Sequence, residues 1–88
     1  MIWDDLHVFL ALHRTGTYAA AARTLGVDAT TIGRRIDALQ ASMGSALFER
    51  SARGLALTES GKKLLSRAER VDAEILAATR ELSGRDAR

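Results

Sequence analysis

Apolar residues recur at helical spacing through most of this chain; a short alternating stretch past its middle is the exception. From about Asp4 to Arg14, Leu6, Phe9, Leu10 and His13 mark an inward stripe, with Trp3 at its start and Gly16 as its stop. Thr17 then serves as N-cap for Tyr18-Ala19-Ala20-Ala21-Ala22-Arg23-Thr24-Leu25, whose alanines favour helix and let a neighbouring backbone approach. Gly26 ends that helix, and Asp28 caps the next through the amides of Thr30 or Thr31. Helices joined by so short a turn cross steeply. The pattern predicts a helix-turn-helix, the arrangement that presents its second member, here residues 28–43, to the major groove of DNA.

The second helix reads differently on its two faces. Ile32, Ile36, Leu39 and Met43 follow spacings of four, three and four and predict a buried stripe. Thr30, Gly33, Arg34 and Asp37 lie opposite, with Ala29 in the first turn and Arg35 on the flank. A mid-helix glycine costs about 1 kcal/mol against alanine. Gly33 therefore either admits a close partner or relieves crowding against another helix; its place off the apolar stripe favours the partner.

Beyond Gly44 the period changes. Leu47-Phe48-Glu49-Arg50 and Leu55-Ala56-Leu57 alternate in part around the turn Ser51-Ala52-Arg53-Gly54, which predicts a β-hairpin. After a helix-turn-helix such a hairpin is a wing. Arg53 at its tip either reaches the backbone or minor groove of a duplex or is a solvated surface residue. Thr58 caps a last helix with Glu59 in its first turn. Leu64, Ala68, Val71, Ile75, Ala78 and Leu82 then form a heptad seam on a helix about 36 Å long. Leu65, Asp72, Leu76 and Thr79 widen one flank, so part of this helix can lie on the body. A body of fewer than sixty residues cannot cover the whole stripe, so the far half is expected to pair with a second copy rather than fold back.

Composition narrows the function classes. Eighty-eight residues make one small domain with a modest core, and no enzyme-sized cleft is expected. The absence of cysteine removes disulfides and thiolate metal sites. His7 and His13, six apart, do not form a helical metal pair and are read as satisfied side chains. No histidine sits beside a carboxylate on a shared helix face and no glycine loop cradles phosphate, so an enzyme is not expected, and neither cofactor nor metal is implied. No apolar run approaches membrane-spanning length and Met1-Ile2-Trp3-Asp4-Asp5 lacks a signal peptide's basic start, so a cytoplasmic, nucleoid-associated protein is expected, with no membrane partner. The formal net charge is +2, but residues 1–33 balance at −1 and residues 34–70 at +4. Eleven of the thirteen basic residues are arginine, whose planar fork matches phosphate and guanine.

Taken in order, these residues resemble the N-terminal DNA-binding domain of LysR-type bacterial transcriptional regulators. The resemblance rests on Leu6-His7-Val8-Phe9-Leu10, Gly16-Thr17-Tyr18, Ala21-Ala22-Arg23-Thr24-Leu25-Gly26-Val27 and Ile32-Gly33-Arg34-Arg35-Ile36-Asp37-Ala38-Leu39. It continues through Gly44, Leu47-Phe48-Glu49-Arg50 and Leu57-Thr58-Glu59-Ser60-Gly61. It implies a mainly α fold: a winged helix-turn-helix of three helices and a small hairpin wing over residues 1–58, then a linker or dimerisation helix over 59–82 and a polar tail over 83–88. It implies base readout from Ala29, Thr30, Gly33 and Arg34, and backbone or wing contacts from Thr17, Tyr18, Arg23, Arg35, Arg50, Arg53 and Thr58.

Two departures stand out. Many members carry glutamine or histidine where Ala29 stands and serine where Gly33 stands, which shifts direct readout toward Thr30, Thr31 and Arg34. The family's effector-binding domain is not among these residues, so no small-molecule effector is expected to bind within this chain. The expected function is sequence-specific recognition of an interrupted palindrome in double-stranded DNA by a homodimer. A winged-helix association module without specific DNA binding is the alternative.

Overall fold

The computed structural model describes residues 3–84. Three helices, α1 (Trp3–Thr15), α2 (Tyr18–Leu25) and α3 (Ala29–Met43), precede a hairpin of β1 (Phe48–Ser51) and β2 (Gly54–Leu57), and α4 (Glu59–Ser83) follows. The expected mainly α winged helix-turn-helix with a long final helix is what the chain forms.

The core is built around α1. Leu6, Val8, Phe9, Leu10, Ala11 and Leu12 are all buried, because α2, α3 and α4 each pack against this helix. A helix covered from several sides buries residues around most of its circumference. The single stripe read from the sequence is thereby corrected: Val8, Ala11 and Leu12 join the core, and His13 is exposed instead of inward.

The wing is anchored at its base. Leu47 does not begin the strand; it turns into the core, and its N–H donates to Gln40 Oε1 at 2.9 Å. Phe48 starts β1 and rests on Phe9, with ring centroids 5.3 Å apart. The register sets Phe48 against Leu57 and Ser51 against Gly54, so the loop is Ala52 and Arg53 alone, shorter than the four-residue turn read from the sequence. Ala52 and Arg53 keep negative φ and the reversal is completed by Gly54 at φ 109°, a conformation that glycine adopts without a side-chain clash. Ser51 Oγ braces the tip, donating to the Gly54 carbonyl at 2.9 Å and accepting from the Arg53 N–H at 3.2 Å.

The start of α4 closes onto the same base. Thr58 donates its N–H to the Leu47 carbonyl at 3.1 Å, and its Oγ1 accepts the Gly61 N–H at 3.0 Å as the helix cap. Leu64 and Leu65 pack on the core, and Ala68 belongs to it. Farther along, Val71, Ile75, Leu76 and Leu82 are 40, 46, 51 and 90% exposed. The expected seam therefore divides. Leu64 and Ala68 are used within the domain, a correction to a seam running between copies from its first residue, while Val71, Ile75, Ala78 and Leu82 stay open. The helix extends one residue past the expected boundary, to Ser83, and Gly84 closes it; the rest of the expected polar tail, 85–88, lies outside the described residues.

A methyl group on Gly61 would collide with the Leu47 carbonyl oxygen, a backbone atom held in place by its own hydrogen bond from Thr58. Gly61→Ala is expected to destabilise the fold by about 1–3 kcal/mol, the cost of overpacking. The check is a lowered urea midpoint with an unchanged slope.

Candidate nucleic-acid interface

The turn between α2 and α3 aims the site. Gly26 takes φ 71°, and the Val27 N–H reaches back to the Ala22 carbonyl at 3.0 Å, satisfying the end of α2. Two residues on, Asp28 caps α3 by accepting the Thr31 N–H at 2.8 Å. That bond, the Thr31 hydroxyl at 3.0 Å on the same oxygen and the charge of Arg34 hold the Asp28 carboxyl below the usual aspartate range. The Thr17 hydroxyl caps α2 in the same way, accepting from the Ala20 N–H at 3.0 Å.

Ile32, Ile36 and Leu39 are fully buried, and Met43 packs against them from the last turn. Their burial turns Ala29, Thr30, Arg34 and Asp37 to solvent. Nothing lies within 4 Å of where a Cβ on Gly33 would stand. Crowding inside the chain is thus not the reason for glycine there.

The arginines fall into two groups. Arg34, Arg23, Arg50 and Arg53 are exposed and form no ion pair among the described residues. Arg35 is turned toward α1, where Nη1 lies 3.8 Å from Asp5 Oδ1. Its expected place beside the phosphates is corrected to a partly engaged one. Arg14 is held by Asp72 at 3.5 Å. On the wing, Arg50 opposes Leu55 and shares a face with Phe48 and Leu57, whose side chains pack on the core. Arg50 therefore emerges at the rim of the inner face, while Arg53 occupies the tip.

Two hydroxyls have less to offer than their positions suggest. Thr58 Oγ1 donates to the Ala46 carbonyl at 2.6 Å while accepting from Gly61. A hydroxyl has one proton to donate, so the phosphate contact expected of Thr58 is corrected to a structural role joining wing and α4. Thr31 Oγ1 likewise donates to Asp28, which leaves its oxygen only as an acceptor. The Tyr18 ring packs against the core, and its hydroxyl has no hydrogen bond among the described residues.

Two features had no signal in the sequence. His7 Nε2 lies 3.7 Å from Asp72 Oδ1, so a histidine does stand beside a carboxylate, across α1 and α4 rather than on one helix. An open groove of about 690 Å³ runs between Met43, Leu47 and Leu64, with Lys63, Arg67 and Arg70 along it. Both are assembled from residues distant in the chain, which no local spacing records. Among the described residues no group of His, Cys, Asp or Glu is placed to hold a metal ion, and no helix is long and apolar enough to cross a membrane.

Residues 3–62, which hold α1 to α3, the wing and the start of α4, match the bacterial regulatory helix-turn-helix protein, lysR family. The chain belongs to this family. It is 42% identical over 59 residues to the HTH-type transcriptional activator TtdR of Escherichia coli (strain K12), covering 67% of this chain and 19% of that protein. To the uncharacterized HTH-type transcriptional regulator YusT of Bacillus subtilis (strain 168) it is 39% identical over 79 residues, 90% of this chain and 27% of the relative. The chain thus spans about a fifth to a quarter of the length of these curated relatives. Among solved structures it resembles the protein in the CbnR_DBD-DNA complex, with a TM-score of 0.80, 38% identity and 100% of both chains covered. These LysR-family relatives are transcriptional regulators, not enzymes, and the fold described above is the family's DNA-binding winged helix.

Because folding depresses the Asp28 pKa, its stabilising contribution is present above the ordinary aspartate value of about 3.9 and is lost as pH falls through the folded value. Asp28→Ala is therefore expected to lower the urea midpoint at neutral pH. The gap between variant and parent should narrow when both are titrated downward from about pH 4.

Proposed function

We propose that this LysR-family domain binds an interrupted palindrome in double-stranded DNA as a homodimer, each copy laying α3 in a major groove. The observation that carries the reading is the outer face of α3: Thr30 and Arg34 exposed, Gly33 open, and no ion pair on Arg34 among the described residues. The DNA-bound structure that the chain resembles at 38% identity supports it. Arg34 is assigned to guanine, whose O6 and N7 fit its fork. Ala29 and Gly33 admit the base edges closely, Thr30 donates or accepts, and Thr31 accepts only. Thr17, Tyr18, Arg23 and Arg50 are assigned to the backbone, and Arg53 to the phosphates that flank the minor groove beneath the wing. Such a protein works in the cytoplasm, on the nucleoid.

The open half of α4 supplies the second contact, through Val71, Ile75, Ala78 and Leu82. Charge orients it. Residues 59–70 of α4 carry Lys62, Lys63, Arg67 and Arg70 against two acids, whereas residues 73–83 carry Glu74 and Glu81 against Arg80. Antiparallel pairing sets the acidic end of one helix beside the basic groove of its partner.

Arg34→Ala is expected to weaken binding by about 1–3 kcal/mol and to relax preference at one base pair. Arg53→Ala should weaken all sequences alike and reduce the log–log salt slope by about one phosphate's share. Quantitative titration of operator and scrambled duplexes separates them; equal, sequence-independent losses for both variants would defeat the assignment. Gly33→Ala gives an opposed pair of effects. It should stabilise the free protein by up to about 1 kcal/mol, through helix propensity and open space, while reducing operator affinity, as read by urea unfolding and by titration.

A further inference from the structure

Asp72 stands where α4 leaves the body. Its side chain is 17% exposed, with Arg14 Nη2 3.5 Å from one carboxylate oxygen and His7 Nε2 3.7 Å from the other. His7 and Arg14 are seven residues apart, two turns along one face of α1, so one carboxylate spans about 10 Å of that helix. The Trp3 ring, its centroid 4.7 Å from that of His7, braces the imidazole. The nearest core contact on α4 is Ala68, which contributes only a methyl group, and residues 73–76 are exposed. Apolar packing therefore secures the first half of α4 but does little to set the direction of the second.

We infer that Asp72 is a positioning residue: its pairing with His7 and Arg14 fixes the direction in which α4 leaves the winged helix, and so the half-site spacing that a dimer accepts. The second part rests on the dimeric DNA-binding reading above. From Asp72 to Ser83 the helix runs about 16 Å. Because α4 is one unbroken helix, a tilt of about 10° about its last core contact, Ala68, moves that end by about 4 Å, close to the 3.4 Å step of one base pair. Half-exposed ion pairs add little to global stability, yet a lever this long converts a small angular preference into a choice of register.

The test has two arms. The chain has no cysteine, so Ala19→Cys and Glu81→Cys, both at exposed positions, take spin labels on α2 and α4 alone; dilution with unlabelled protein leaves only intrachain distances. Asp72→Asn is expected to broaden or shift this distance distribution, and Asp72→Glu to restore most of it. In the second arm, two copies of a half-site selected from random duplex DNA by the parent protein are placed on one duplex and stepped apart one base pair at a time. Asp72→Asn should flatten the preference for the best spacing by about 2- to 5-fold, the scale of the one half-exposed Arg14 ion pair, with affinity for a single half-site within about twofold of the parent. An unchanged distance distribution overturns the inference, whatever the DNA result. A changed distance with an unchanged spacing preference overturns the link to DNA spacing. Failure of the parent protein to bind any duplex refutes the DNA-binding reading instead, and the distance arm still decides the role of Asp72.

Discussion

The stripe of Ile32, Ile36 and Leu39 lies fully buried against the surrounding core, and a helix held that way cannot turn about its own axis. This constraint sets everything the opposite face of α3 can do. Rotation by even one residue's angle, 100°, would bring Arg35 or Gly33 into the core and strand a charge or a void there. The hub that resists it is α1, buried on several sides, and the short turn through Gly26 and Asp28 leaves α3 no slack in its crossing of α2. The same core receives Leu47 and Phe48 from the wing and Ala68 from α4. The outer face of α3, the wing and α4 are thus all referenced to one small set of apolar contacts.

Around that core, polar groups divide by whether the fold has already engaged them. Arg14 and Arg35 have carboxylate partners, and the hydroxyl protons of Thr31 and Thr58 are held by Asp28 and the Ala46 carbonyl. Arg23, Arg34, Arg50 and Arg53 form no ion pair among the described residues. A ligand gains most from groups that need not break an internal bond to reach it. Under the proposed DNA-binding reading this puts most of the recognition on Arg34 and the wing tip, while Thr58 joins the wing to α4.

Much of this was legible in the sequence because it is local. Caps at Thr17, Asp28 and Thr58, the ends at Gly26 and Gly44, and the Ile32–Leu39 stripe each follow from residue type and spacing. The misreadings share a cause, since each depends on what another element does. His13 lies outside because α1 is covered from other directions; Leu47 leaves the strand because Gln40 takes its N–H; Ala68 drops out of the expected seam because the core takes its methyl group. The partners of Asp72 and the groove beside Lys63 and Arg67 are of the same kind, joined across the fold from residues far apart in the chain. For the proposed recognition surface, residue type and spacing name the candidates, and the structure shows which of their donors the fold already engages.

Sequence-specific binding by a dimer is decided by selecting random duplex DNA with the purified protein and titrating the best sequence against a scrambled one over a range of salt. A dimeric, sequence-specific domain should recover a two-fold motif with a fixed gap, bound more tightly than the scrambled duplex, with a log–log salt slope of about −0.9 for each phosphate contacted. Weak binding that recovers no motif and does not distinguish the two duplexes would contradict sequence-specific binding by a dimer.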